Sequence, residues 1–490
     1  MQPHHGMNRS NWLRLALAAL CALALTSCGA PRTTSWFANG KPGANDPSAG
    51  TGSTITAPAD KATNVPASTE ISFAAHGATL TKVVLTDAED GQTVDGVMRA
   101  GGSSWVPEQA LRYDTKFTVA LTSTEADGTS HTHSSTFTTM SPPDDTVHLE
   151  SQMGDGQQYG VGAPIVLNFS KPIPAKQRAA VQRRLFVQTT PAQQGSWNWF
   201  SSTEVHYRPK DYWQPGTKIS LRALFGGLPL GNGLYGDEDI TVDASIVPHD
   251  LRISIDDKTK RLTVTQDGQV VKTMPVSMGK TETPSSSGQM VVMTRNAKEL
   301  FDSTNDGIGP GQPGYYREVI DDALRLTWGG QYIHSAPWSV SQQGVDDISH
   351  GCTNLNPEDA QWLFDRVHVG DPVTVQNTGA PLNWGDGWTD WNRPWSEYVK
   401  DSAIPQSSGS GVNGLVGAFP TTPDDQATSG DQSDNADQAD KGDQSDDASG
   451  DDADGDAASA GNPSDDGAGG DGASGDGSAA TGDDSAGVQG

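Results

Sequence analysis

Cysteine is nearly absent: Cys21, Cys28 and Cys352 are the only three in 490 residues. A disulfide framework needs a paired set, and this chain offers none. Long apolar runs are missing too. The longest, LALAALCALAL at 15–25, falls short of the roughly 20 residues that a helix needs to span a bilayer. Basic residues number 32 against 61 acidic ones, for a formal charge of −29, and no basic patch marks a nucleic-acid surface. Glutamate vanishes from 421–490, where 19 Asp and one Lys contribute −18 of that total. The charge is therefore concentrated in a tail, and the rest of the chain is only mildly acidic.

What the N-terminus does contain is an export signature. Arg9 and Arg14 flank the start of the apolar core, and Leu25-Thr26-Ser27-Cys28 follows it. This segment resembles a bacterial lipobox; an ordinary cleaved signal is the alternative. The resemblance implies cleavage before Cys28, lipid on its thiol, and an extracytoplasmic protein held on the outer face of the cell membrane. Cys21 would leave with the signal, so Cys352 is the one cysteine left for chemistry. A lone thiol outside the reducing cytosol is an oxidation liability, which favours a chemical use for it.

Composition divides the remainder. Residues 1–28 form the signal, and 29–53, rich in Gly, Pro, Ser and Thr, read as a flexible linker. Residues 401–490 lack periodic apolar positions and read as a disordered tail; DADGDA within it lacks the Gly and closing Glu of a calcium loop. An internal repeat organises the first half. Trp105-Val106-Pro107 precedes Thr115-Lys116 at the same offset at which Tyr207-Arg208-Pro209 precedes Thr217-Lys218. Alternating strands (EISFAA, KFTVALT, HSSTFTT, IVLNFS, TEVHYRP, KISLRAL) separated by turn residues predict two immunoglobulin-like β-sandwiches, 54–142 and 143–247. His131 and His133 alternate on one such strand and read as a solvated face. From 248 to 377 a third, β-rich domain begins with a meander whose Asp267-Gly268 is a hairpin signal. NPEDAQWLFDRV predicts a helix capped by Asn356, with Ala360, Leu363, Phe364 and Val367 on its apolar face. Trp384, Trp388, Trp391, Trp395 and Tyr398 predict that 378–400 docks on this third domain, with a sugar-binding platform as the alternative. The fold class is thus mainly β.

ISHGCTNL, 348–355, is where chemistry concentrates. An imidazole beside a thiol can lower its pKa from about 8.5 to about 6, raising the thiolate fraction at pH 7 about 30-fold, and can later carry a proton to a leaving amine. Gly351 permits a sharp turn that aims main-chain N–H groups at the reacting carbonyl, and the helix just beyond adds its dipole. A buried inert Cys beside a structural His is the bland alternative. Zinc on His334, His350 and Cys352 fits poorly, because His-x-Cys is not a common ligand spacing and no fourth ligand is evident. No cofactor or metal is expected.

Ile333-His334-Ser335 followed by Ser349-His350-Gly351-Cys352-Thr353-Asn354 resembles the signature of the L,D-transpeptidases, cysteine enzymes that cross-link peptidoglycan. Met278-Gly279-Lys280, Thr283-Pro284, Gly288, Tyr316-Arg317, His334–Val340 and GDGWTDWNRPW extend the resemblance over the third domain. Two immunoglobulin-like domains on a lipoprotein are similar to the layout of actinobacterial members. The resemblance implies Cys352 as nucleophile and His334 as base, its ring oriented by the Ser335 carbonyl; spacing alone leaves open which His takes the proton. His350, Ser349 and Asn354 would shape the pocket, with Gly330 and Trp338 lining it, and Tyr316 and the N–H groups of Gly351 and Cys352 would stabilise the oxyanion. The implied partners are peptidoglycan stem peptides, as acyl donor and acceptor, and carbapenem-type β-lactams as inhibitors. The implied reaction is a thioester-mediated 3→3 cross-link with release of D-Ala, in cell-wall organisation and cell shape. An L,D-carboxypeptidase on the same stems and a non-catalytic wall-binding lipoprotein are the alternatives.

Overall fold

The computed structural model describes residues 52–404, apart from residue 314, and residues 415–416. The signal with Cys21 and Cys28, the linker up to residue 51 and almost all of the acidic tail, DADGDA included, lie outside the described residues.

Strands dominate, because period-two patterns run through most of the described chain. The strand Lys116–Glu125 is representative: Phe117, Val119 and Leu121 are buried while the residues between them face outward. Phe117 stacks on Phe137 of the neighbouring strand Ser130–Thr139, with ring centroids 5.6 Å apart. His131 and His133 lie on the exposed end of that same strand. The sequence repeat is a structural one. Trp105-Val106-Pro107 and Tyr207-Arg208-Pro209 each close a strand, Ser104–Pro107 and Glu204–Pro209, that lies between two antiparallel neighbours of its sheet. Thr115-Lys116 and Thr217-Lys218 each open a strand of a different sheet.

The two repeats are joined by a partly buried ionic cluster. Glu70 accepts from Arg99 Nε at 2.8 Å and from Ser104 Oγ at 2.7 Å, and lies 3.4 Å from Arg184 of the second repeat. Burial alone would raise the Glu70 carboxyl, but Arg99 and Arg184 outweigh it and hold it at about 2.

The third region pairs two sheets. Its six-stranded sheet runs Gln269–Pro275, Arg261–Gln266, Leu251–Asp256, Pro372–Gln376, Ser286–Val291 and Ala380–Pro381. Asp267 and Gly268 both take positive φ, 51° and 78°, as a two-residue hairpin turn requires. The four-stranded sheet runs Thr294–Asp302, Arg317–Arg325, Tyr332–Ser335 and Thr353–Leu355. The helix Pro357–Phe364 packs on it and is capped as its sequence indicates, Asn356 Oδ1 accepting from Asp359 N at 2.9 Å. Ala360, Leu363 and Val367 are buried; Phe364 is half-buried under Arg295.

Two expectations are corrected. The aromatic segment does dock, but largely on the second repeat and not on the third domain alone. Trp391 Nε1 donates to Gly162 O at 2.8 Å, Trp384 stacks on Phe200, and Tyr398 is fully buried and accepts from Asn198 Nδ2 through its carbonyl at 2.6 Å. Trp388 packs with Val166 of that repeat and with Val291 and Met293 of the third region. The segment is therefore a clasp across both. Secondly, the span read as a featureless tail contains described pieces with partners. Ser402 Oγ accepts from Gln182 Nε2 at 2.8 Å, and Leu415–Val416 pairs antiparallel with Arg99 and Met98. Apolar residues such as Ala403, Leu415 and Val416 precede the Asp-rich part, and local pairing needs only a few of them.

Candidate active site

Parallel pairing of Tyr332–Ser335 with Thr353–Leu355 brings the two halves of the motif together. Its register sets Ile333 opposite Thr353, His334 opposite Asn354 and Ser335 opposite Leu355. Cys352 stands two residues before Asn354, so Cys352 and His334 are diagonal neighbours on adjacent strands, with Cα atoms roughly 8 Å apart from strand spacing and rise. Cys352 directly precedes the strand Thr353–Leu355, so the backbone carries the thiol to the edge of the histidine strand.

His334 is buried and 3% exposed. Its Nδ1 donates to Ser335 O at 2.9 Å, so the hydrogen-bond pattern assigns the proton to Nδ1 and leaves the Nε2 lone pair free to accept a proton. Phe301 lies edge-on at 5.3 Å and Trp338 at 6.0 Å between ring centroids. Burial pushes the imidazole down to about 4, despite the Ser335 hydrogen bond.

Cys352 keeps part of its surface open to solvent. Its Sγ donates to Gly330 O at 3.6 Å. Burial of the sulfur drives the thiol up to about 11, opposed only in part by a main-chain hydrogen bond from Tyr332. This overturns the expectation of a thiol ionised by its neighbouring imidazole. Both groups are desolvated, desolvation disfavours both charges, and the resting pair is neutral thiol and neutral imidazole. Moving the proton from sulfur to His334 is therefore uphill before the attraction between the resulting charges is counted.

Hydrogen bonds fix the loop before the thiol. Ser349 Oγ donates to Cys352 O at 2.6 Å and accepts from Gly351 N at 3.1 Å. Gly351 has φ of 131°, a conformation open to glycine and strained for other residues. Its N–H is committed to Ser349, which corrects the expectation that it faces the oxyanion. Asn354 is 2% exposed, and its Nδ2 donates to Ser339 Oγ at 3.3 Å. It ties the 336–343 loop to the strand and so bears on the pocket's shape through that loop, with almost no surface of its own to offer the substrate contact also expected of it. Likewise the helix does not follow the thiol directly. A three-residue strand intervenes, and the helix dipole fades within its first turn.

His350 is exposed, 3.3 Å from Lys280 Nζ through Nε2, and its ring lies 6.2 Å from that of Tyr316. Trp338 is 51% exposed on the short turn after the histidine strand. Leu300 and Val319 are exposed partners on the hairpin Thr294–Asp302/Arg317–Arg325. Sequence reasoning missed Ser285, whose Oγ accepts from Gly279 N at 3.0 Å and donates to Gly351 O at 2.8 Å. The adjacent Thr283-Pro284 was the available signal. A cavity of about 560 Å³ lies elsewhere, walled by Arg208, Tyr212, Arg252, Trp391 and Arg393. It flanks the aromatic clasp, and the paired thiol and imidazole are not among its lining residues.

Residues 250–375 match the family model described as the L,D-transpeptidase catalytic domain, and 62–228 match that of a bacterial Ig domain. Ig-like β-domains followed by that catalytic domain define a transferase. L,D-transpeptidase 2 of Mycobacterium tuberculosis (strain CDC 1551 / Oshkosh) is 35% identical over 345 residues, spanning 70% of this chain and 83% of that protein. L,D-transpeptidase 5 of Mycobacterium tuberculosis (strain ATCC 25618 / H37Rv) is 30% identical over 356 residues, 71% and 76% of the two chains. A solved structure of L,D-transpeptidase 3 from Mycobacterium tuberculosis in complex with a faropenem-derived adduct aligns at 30% identity and a TM-score of 0.39, covering 46% of this chain and 97% of that one. The chain belongs to the L,D-transpeptidase family.

Proposed function

We propose that Cys352 is the nucleophile of a two-step acyl transfer that forms 3→3 peptidoglycan cross-links. The observation that carries this reading is the register that sets Cys352 diagonally across from His334, whose Nε2 is left free by the Nδ1 bond to Ser335. The thiol turns from Gly330 O towards His334, which removes its proton as sulfur attacks the carbonyl between the third stem residue and D-Ala. Proton transfer accompanies attack, because a preformed ion pair is uphill here. The Cys352 N–H and Tyr316 stabilise the oxyanion, the imidazolium returns its proton to the departing amine of D-Ala, and a thioester remains. An amine of a second stem, deprotonated by His334, then resolves the thioester. Trp338 and His350 border the cleft, and Ser349, Gly351 and Asn354 hold its shape. We place the enzyme outside the cytoplasm, anchored by lipid on Cys28.

A carbapenem presents the same thiol with a strained acyl group. Intact mass spectrometry is expected to show one covalent adduct on the wild type and none on Cys352→Ala; an unmodified wild type refutes the assignment. Muropeptide analysis sets transfer against hydrolysis: dimers mark the transpeptidase, and free tripeptide alone marks a carboxypeptidase.

A further inference from the structure

Lys280, the last residue of Met278-Gly279-Lys280, has no part in the steps above. The backbone brings it to the thiol loop: Gly279 bridges to Ser349, and Lys280 N donates to Ser349 O at 3.0 Å. A Cβ on Gly279 would meet Thr283 O at 2.3 Å, so only glycine permits this close turn. Lys280 Nζ then stands 3.3 Å from His350 Nε2, on the rim that Tyr316 also forms.

Among the described residues Lys280 shares with the exposed Lys258 the lack of an ion pair, but it is half-buried and stands beside the thiol loop. In the same domain Lys260 faces Asp257 and Asp347, Lys272 faces Asp359, and Lys298 faces Asp321. Among the described residues, the polar side-chain partner of Lys280 is an imidazole, and no carboxylate lies within ion-pair distance of it. Half-buried beside the nucleophile's loop, it is a cation with an unused preference for an anion. We infer that Lys280 binds a carboxylate of the acyl-donor stem and so holds the donor across Cys352. This rests on the acyl-transfer reading above. Two carboxylates have the right chemistry: the C-terminal one on the departing D-Ala, and the side-chain one of the third residue.

Three synthetic donors decide it, assayed with the wild type, Lys280→Met and Lys280→Arg: one with both carboxylates free, one with the C-terminus amidated, one with the third residue amidated. For the free donor, Lys280→Met should lose about 10- to 100-fold in kcat/KM, mainly through KM, as expected for a charge-assisted contact. Lys280→Arg should recover most of it. The donor lacking the recognised carboxylate should react equally with wild type and Lys280→Met, and its identity names the source. Equal alkylation of Cys352 by neutral iodoacetamide in all three proteins shows that the loop is intact. An unchanged kcat/KM in Lys280→Met, or an equal loss on every donor, overturns the inference and leaves the acyl-transfer reading standing. A wild type inert towards every donor overturns both.

Discussion

Titration of Cys352 is the sharpest test of the neutral resting pair. A thiol at about 11 is roughly 0.03% ionised at pH 7.5, whereas one lowered to about 6 by an imidazole would be about 97% ionised, a contrast of about 3,000-fold. The perturbation is pH from 5 to 10.5, and the readout is the rate of Cys352 alkylation by iodoacetamide, followed by intact mass. The rate should climb about tenfold per pH unit across the neutral range without levelling off before pH 10. His334→Ala should leave that profile nearly in place, since the imidazole is neutral above about pH 4 and places no charge beside the sulfur. The same substitution should reduce acyl transfer by about 10²- to 10⁴-fold, because the proton acceptor is gone. The acid limb of kcat/KM belongs near pH 4 instead of the usual histidine range. A plateau in alkylation above pH 7, shifted upward by His334→Ala, would show a standing ion pair and refute the argument.

Two further predictions concern the scaffold. Trp388, buried among Val166, Val291 and Met293, secures the aromatic clasp, so Trp388→Ala should cost about 3–5 kcal/mol in urea unfolding, and a loss below about 1 kcal/mol would show that the clasp bears no weight. Glu70→Gln should destabilise by about 3–5 kcal/mol at pH 7 by leaving the largely buried Arg99 and Arg184 uncompensated. Because the Glu70 carboxyl is held at about 2 in the fold and near 4.5 when unfolded, its contribution is complete above pH 4.5 and is lost as pH falls towards 2. The gap between wild type and variant should close over that range; a gap that persists at pH 2 would assign the effect to packing.

Much of the fold was legible because it repeats. Aromatic-x-Pro followed by Thr-Lys marks equivalent strands in two successive units, and Asp267-Gly268 and Asn356-Pro357 carry local signals that no tertiary contact overrode. The aromatic clasp was only half legible. Five aromatic side chains in fifteen residues announce burial, but their partners, Gly162, Asn198 and Phe200, lie about 200 residues upstream and leave no local trace.

At the site, residue identity was legible and electrostatics was not. Gly351 betrays its φ of 131° because few other residues tolerate it, and Cys352 and His334 stand out by rarity and spacing. The direction of a pKa shift depends on the balance of two opposed effects: a nearby cation lowers a thiol, and burial raises it. In the sequence His350 adjoins Cys352, which suggests the first. In the fold His350 turns outward to Lys280, and the imidazole on the neighbouring strand, His334, is itself buried and uncharged. The same desolvation that keeps the thiol quiet at rest gives each charge that forms during attack a strong interaction with its partner, since both then arise together in a low-dielectric setting. A thiol that stays protonated until a substrate carbonyl arrives is protected from oxidation, since the thiolate is the reactive form, and a desolvated neutral pair achieves this without a second cysteine.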